Sequence, residues 1–247
     1  MEKGYSDDVH SKSKRFDNDL KAREDYLISG KLGISTLIKM GLQSLCTDPT
    51  LFIVRNFPGA IGFKIRQIWY KSFLGAMGKG CIIDVGVSIS HPRNVFLDRF
   101  VFIDQYCQFL CPTGYIKIGK RTHIAHFGVI LGHGCVEIGN YVGIAAGVKI
   151  LSLSDWPGNG KRICGPMVPI AQRGLKEGKI TIGNEASIGV NSVIMPGITI
   201  GEGAVVGANS IISNNVEPWT IVLGIPSRVI GKRDPVTQPD PDILITK

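Results

Sequence analysis

Aromatic residues make up only 8% of the 247-residue chain, there are five histidines, and none follows His133. No stretch reaches about eighteen apolar residues in a row, so no membrane-spanning helix is expected. Met1 to Arg23 is charged and lacks the basic, apolar and small-residue succession of a signal peptide, so a cytoplasmic chain is expected. Acids are scarce: 20 Asp and Glu face 28 Lys and Arg, and Ile61 to Gly80 carries Lys64, Arg66, Lys71 and Lys79 with no acid. This basic charge comes without interleaved aromatics or a recognition motif, so nucleic acid is not an expected partner. A phosphate-bearing ligand or an anionic membrane surface suits it instead. The six cysteines contain no Cys-x-x-Cys pair, which speaks against a zinc ribbon and for reduced, packed thiols.

What the chain does have is a six-residue period. Ile83, Ile89, Val95, Leu97, Ile103, Ile118, Ile124, Ile130, Ile138, Ile144 and Ile150 mark it, and it resumes through Ile182, Ile188, Ile194, Ile200, Val206 and Ile212. Gly, Ala or Asp often follows the aliphatic residue. Six matches neither the 3.6 of a helix nor the 2 of a free strand, so it describes one flat side of a larger repeat. Three sides close a triangular coil of about eighteen residues with aliphatic ladders on its axis, and the period from 83 to 216 predicts about six coils.

Ahead of the repeats, residues 1–78 read as a helical capping segment. "ISTLIKMGLQSLCTD" and "GAIGFKIRQIWYKSFLGAMG" read as amphipathic helices. In the second, Ile61, Ile65, Ile68, Trp69, Phe73 and Leu74 form an apolar stripe flanked by Lys64, Arg66 and Lys71. Such a helix can close the open end of the first coil, or lie on the inner face of the membrane with Trp69 and Tyr70 among the headgroups. The repeats occupy 79–233. They are interrupted by one projecting loop, 156–179, in which Lys161, Arg162, Arg173, Lys176 and Lys179 make a cationic arm suited to a ligand with several phosphates. Residues 234–247 form a Pro- and Asp-rich tail that reads as flexible.

The stretch from Ile180 to Arg233, "ITIGNEASIGVNSVIMPGITIGEGAVVGANS" and onward to "GIPSRVIGKR", resembles the end of hexapeptide-repeat acyltransferases, and the resemblance extends over Lys79–Arg233. It implies a mainly β fold, a left-handed parallel β-helix, that works as a homotrimer and takes an acetyl group from acetyl coenzyme A, with no metal. Ser154, Asp155, Gly165, Pro166, Val168 and Pro169 match members in which a Ser-Asp element leads into a GP-x-VP turn. In the maltose and galactoside O-acetyltransferases a histidine begins this loop and acts as general base. That place is held here by Asp155.

A base must then come from elsewhere. "THIAHFGVILGHG" supplies His123, His126 and His133. Imidazole titrates near neutrality, which suits proton removal from an alcohol, and a carboxylate on its other nitrogen would fix the tautomer. His123, then His126, are the favoured candidates, facing a neighbour's Asp155. The alternative is an amine acceptor, already nucleophilic, which Asp155 need only orient. Backbone N–H groups around Ala145 and Gly147 can meet the thioester oxygen. Lys161 and Arg162 on the loop, and Gly207, Ala208, Pro226, Arg228, Lys232 and Arg233 on the last coils, are the expected coenzyme contacts.

The resemblance thus points to O-acetylation of a sugar in a cell-surface polysaccharide, a lipopolysaccharide or a precursor. Amino-sugar N-acetylation is the alternative, and a non-catalytic scaffold the second. A γ-class carbonic anhydrase would need a zinc-binding histidine spacing that His123, His126 and His133 do not reproduce. Serine O-acetyltransferases carry a larger helical domain and a histidine-rich signature that is absent here.

Overall fold

The computed structural model describes residues 34, 52–156, 158, 160–163, 168, 172–238 and 240. The first of the two expected helices, the remainder of the GP-x-VP turn (Gly165, Pro166, Pro169), and Cys46 and Cys164 lie outside them.

The period folds as a left-handed parallel β-helix with three flat faces. Face A stacks Ala76–Met77, Val95–Leu97, Ile116–Ile118, Val136–Ile138, Ile180–Ile182 and Thr199–Ile200. Face B stacks Ile82–Ile83, Phe102–Ile103, His123–Ile124, Gly143–Ile144, Ser187–Ile188, Val205–Val206 and Thr220–Leu223, with Arg228–Lys232 added antiparallel. Face C stacks Ser88–Ser90, Gln108–Leu110, Val129–Leu131, Lys149–Leu151, Val193–Ile194 and Ile211–Ile212. The chain runs A, B, C in every turn.

Each aliphatic residue of the hexad frame is buried, from Ile83 at 2% exposure to Ile212 at 0%. Like sits on like: Ile103 pairs with Ile124, Ile124 with Ile144, Ile144 with Ile188. Burying one such side chain stabilises by about 1.5–3 kcal/mol, so the ladder carries the fold. The described residues form six full turns and two faces of a seventh, one more than the period predicts. The first turn begins at Ala76–Met77, where Met77 stands six residues before Ile83, and the last ends at Thr220–Leu223, where Val222 stands six after Val216.

Extra residues enter mainly at the C/A edge. The 3-10 turn Pro92–Asn94, residues 111–115 and 132–135, and the long loop before Ile180 all leave there. The loop is rooted by an antiparallel pair, Leu153–Asp155 with Leu175–Glu177. Cys81, Cys107 and Cys111 are buried free thiols, and burial pushes Cys107 up to about 11 and Cys111 to about 12.

Helix α1 (Gly59–Phe73) lies across the open end of the first turn, but not on the face the stripe predicts. Its buried residues are Gly62, Arg66 and Tyr70, whereas Ile61 and Ile68 are 67% and 69% exposed. The reason is hydrogen bonding. The first turn has no turn beneath it to satisfy its carbonyls, so polar tips point inward. Arg66 Nε donates to Ile83 O at 2.9 Å and Tyr70 Oη to Val87 O at 2.9 Å, while Arg66 Nη2 lies 3.6 Å from Asp84 Oδ1. Among the described residues no helix is long and apolar enough to cross a membrane.

The tail does not hang free where it is described. Asp240 accepts hydrogen bonds from Lys120 and Tyr141 on the A/B edge, several turns below the end of the coil.

Candidate active site

Face B ends at an edge where each turn swings into face C, and this edge gathers Asp104, His123 and His126. Its rows are Asp84–Val87, Asp104–Cys107, Ala125–Gly128, Ala145–Val148, Gly189–Ser192 and Gly207–Ser210, held in register by turn-to-turn backbone bonds such as Phe127 N to Gln105 O and Gly147 N to His126 O. His123 and His126, ranked from the sequence, therefore stand one turn above Asp104, which the sequence reading missed.

Asp104 is 7% exposed. Its Oδ2 lies 3.1 Å from His123 Nε2 and 3.1 Å from His126 Nδ1. The two rings are about half exposed. His123 also stacks on Phe102, centroids 5.1 Å apart. His123 Nε2 is hydrogen-bonded to the carboxylate, whereas His126 turns Nδ1 toward it and leaves Nε2 off the carboxylate. The signal that could have found Asp104 is its spacing: it sits 19 residues before His123, about one coil.

Directly above His123 on face B is Gly143. A Cβ built there meets nothing within 4 Å, so a ligand can reach the carboxylate-histidine cluster over bare backbone. Ala145 and Gly147 lie on the same edge, as do Gly207 and Ala208. Gly147 sits at φ 70°, which favours glycine, whereas at Gly207 a Cβ would press on a movable side-chain tip. A Cβ on Gly147 would stand 2.2 Å from Asn191 Oδ1, and one on Gly207 would stand 2.4 Å from Leu223 Cδ1.

The other expected residues divide. Pro226 and Arg228 lie at or beside the turn that follows Leu223, at the top of this edge, with Arg228 paired to Leu223. Lys232 pairs with Thr220 at the far side of face B, about 13 Å away at about 3.3 Å per residue. Arg233 is farther still: Nη1 donates to Glu185 O at 3.0 Å, and its guanidinium lies over Trp219 on the A/B edge. It ties down the last strand. A single coenzyme contact set from Arg228 to Arg233 is thus split across the face, because these residues form an extended strand rather than a compact turn.

Asp155 is not with the histidines. It lies at the loop root, 3.3 Å from Arg173 Nη2. The loop's cations are largely engaged as well: Lys176 lies over Trp156 and Lys179 is 2.7 Å from Glu137. Lys161 and Arg162 are exposed at its outer part. A trough of about 690 Å³ lined by Phe96, Lys117, Glu137, Thr181 and Asn184 runs along face A and its A/B edge, away from Asp104. No cluster of three His, Cys, Asp or Glu able to hold a metal occurs among the described residues.

Residues 179–214 match the family described as bacterial transferase hexapeptide (six repeats). The dTDP-4-amino-4,6-dideoxy-D-glucose acyltransferase of Escherichia coli is 30% identical over 170 residues, covering 69% of this chain and 86% of that protein. Among solved structures, the N-acyltransferase AntD of Bacillus cereus, in complex with dTDP and 3-hydroxybutyryl-CoA, superposes with a TM-score of 0.63 at 26% identity, covering 73% of this chain and 92% of that one. A hexapeptide-repeat acetyltransferase of Vibrio cholerae shares the fold at 24% identity, TM-score 0.53, over 79% and 93% of the two chains. The chain belongs to the hexapeptide-repeat acyltransferases. It is an acyltransferase that uses an acyl-coenzyme A donor.

Proposed function

We propose that the protein transfers an acyl group from coenzyme A to the amino group of a nucleotide-linked amino sugar. The likeness to the Escherichia coli dTDP-amino-sugar acyltransferase over 86% of its length carries this reading. The B/C edge supplies suitable chemistry. A neutral amine attacks the thioester carbonyl without prior deprotonation, and the nitrogen then sheds a proton. In this reading His126 Nε2 receives it, and Asp104, 3.1 Å from the opposite nitrogen, orients the ring. The thiolate of coenzyme A leaves. No acyl-enzyme is needed, in keeping with Cys107 and Cys111, which are buried and pushed to high pKa.

One observation favours a second reading. A carboxylate-oriented imidazole is what a hydroxyl acceptor requires, so O-acetylation of a sugar keeps a base in the same place. In either case the working unit is a homotrimer, with the neighbour closing the cleft beside the B/C edge and its loop bringing Asp155, Lys161 and Arg162 to it.

The test is thiol release from acetyl-CoA with dTDP-4-amino-4,6-dideoxyglucose and with non-amino sugars, followed by mass spectrometry of the product. Hydroxylamine-resistant acylation of the amino sugar alone supports the amide. An alkali-labile ester on a hydroxyl acceptor moves the assignment to O-acetylation. Sedimentation of the full chain reads the oligomer.

A further inference from the structure

Beside His126, two aromatic rings stand open to solvent. Tyr106 is 49% exposed and Phe127 60%, with ring centroids 5.8 Å apart and planes within 9°. The His126 and Phe127 centroids are 6.3 Å apart.

Aromatic residues in the same left-handed corner conformation occur on the A/B edge, and there each is covered by a cation of this chain. Arg121 lies 4.8 Å over Phe100, Lys120 5.2 Å over Tyr141 and Arg233 5.7 Å over Trp219. On the B/C edge no cation lies over Tyr106 or Phe127 among the described residues. The next turn up offers no cover either, since the residue stacked over Phe127 is Gly147, at φ 70°. One further turn up, Asn191 turns its carboxamide oxygen down toward Gly147. The result is a slot with a flat apolar floor, an amide at the top, His126 at its side, and the bare backbone of Gly143 one strand away.

Resting on the sugar-acylation reading, we propose that Phe127, backed by Tyr106, is the platform on which the acceptor stacks an apolar face of its pyranose ring, its amino group turned toward His126. A flat hydrocarbon floor suits a sugar face of C–H bonds, while hydroxyls point to the rim and to Asn191. Such a floor suits a 6-deoxy amino sugar, the acceptor class in the name of the Escherichia coli relative: a methyl at C6 extends the apolar face, whereas a hydroxyl there would lose water without a partner on the ring.

The experiment compares kcat/KM for dTDP-4-amino-4,6-dideoxyglucose and its 6-hydroxylated counterpart in wild type, Phe127→Ala, Phe127→Tyr, Tyr106→Ala and, as control, Phe100→Ala, with melting temperature and sedimentation of each. The wild type should prefer the deoxy sugar by about tenfold. Phe127→Ala should lose about tenfold through KM for the acceptor, with the KM for acetyl-CoA unmoved, and should lose the preference; Phe127→Tyr should keep both. Unchanged acceptor KM and preference in a folded Phe127→Ala would overturn the proposal while leaving sugar acylation intact. So would a Phe127→Ala protein that falls to monomers and loses activity toward both sugars equally, since the ring would then be a subunit contact. No turnover of either sugar by wild type would instead sink the reading on which the proposal rests.

Discussion

His126 Nδ1 and Asp104 Oδ2 lie 3.1 Å apart although they belong to consecutive turns of the coil, 22 residues apart in the chain. The pairing exists because Ile103 sits on Ile124 in the core, which places the corner residue after one beneath the corner residues after the other. Packing on the axis thus sets geometry on the edge. His126→Ala should lower kcat by about a hundredfold to ten-thousandfold, and Asp104→Asn should lower it through the lost orientation of the ring. His123→Ala should cost less, because its Nε2 is turned to the carboxylate. The KM for acetyl-CoA should stay put in all three. Steady-state thiol release, with melting curves to exclude unfolding, checks this; a His126→Ala enzyme of wild-type kcat would remove the base from the mechanism.

Arg66 meets three groups at the base of the coil: Ile83 O, Phe57 O at 2.7 Å from Nη1, and Asp84. Truncating it leaves two carbonyls without their donor, each charge-assisted hydrogen bond being worth about 1.5–3 kcal/mol. Arg66→Ala should therefore destabilise the protein by about 2–4 kcal/mol in urea unfolding. Asp84→Asn should cost well under half of that, since the Asp84 side chain is 31% exposed and the contact is long. Equal losses would show that the ion pair, not the carbonyl cap, matters most.

The reach of the sequence follows from these same residues. A six-residue aliphatic period is a core signal, and every hexad residue from Ile83 to Ile212 is indeed buried. Asp104 was hidden by that very pattern, because Asp, Ala and Gly share the corner place and Asp84, Ala125 and Ala145 occupy it in other turns. Identifying its partners needs the true length of each turn, and the extra residues at the C/A edge vary that length. The face of α1 was misread for a different reason. Apolar periodicity finds a stripe but not which stripe meets carbonyls in need of donors, and Arg66 and Tyr70 carry them. Arg233 is expected at the coenzyme from the family resemblance, and in the fold backbone oxygens of earlier turns engage it.

His91 and His133 sit at the C/A edge, where burial pushes both below the ordinary imidazole value of 6.5. For His133 the charge of Glu177 opposes that shift and His91 adds to it. The folded state therefore holds fewer protons than the unfolded chain below about pH 6.5, so stability is full above that value and falls as pH drops toward the folded pKa values. The melting temperature should decline from pH 7.5 to 5.5, and a folded His133→Gln protein should decline less. A His133→Gln profile parallel to wild type would place the acid sensitivity elsewhere.

Gly143 and Gly183 look alike in sequence, each beside an isoleucine of the hexad, but they differ in what surrounds them. A Cβ on Gly183 would stand 2.5 Å from Glu202 N in the next turn, backbone that cannot yield without opening the stack, whereas one on Gly143 meets nothing within 4 Å. Gly183→Ala should therefore lose about 2 kcal/mol or more by overpacking, with activity falling only as the fold does. Gly143→Ala should hold its stability within about 0.5 kcal/mol or gain slightly through reduced chain entropy. Its methyl, however, projects into the open space above the His123 ring, where a substrate must pass to reach Asp104 and His126. Turnover should drop severalfold in a protein that melts like wild type. Calorimetry beside steady-state kinetics separates the two effects, and a Gly143→Ala enzyme with unaltered KM and kcat would mean that the ligand approaches the histidines from another side.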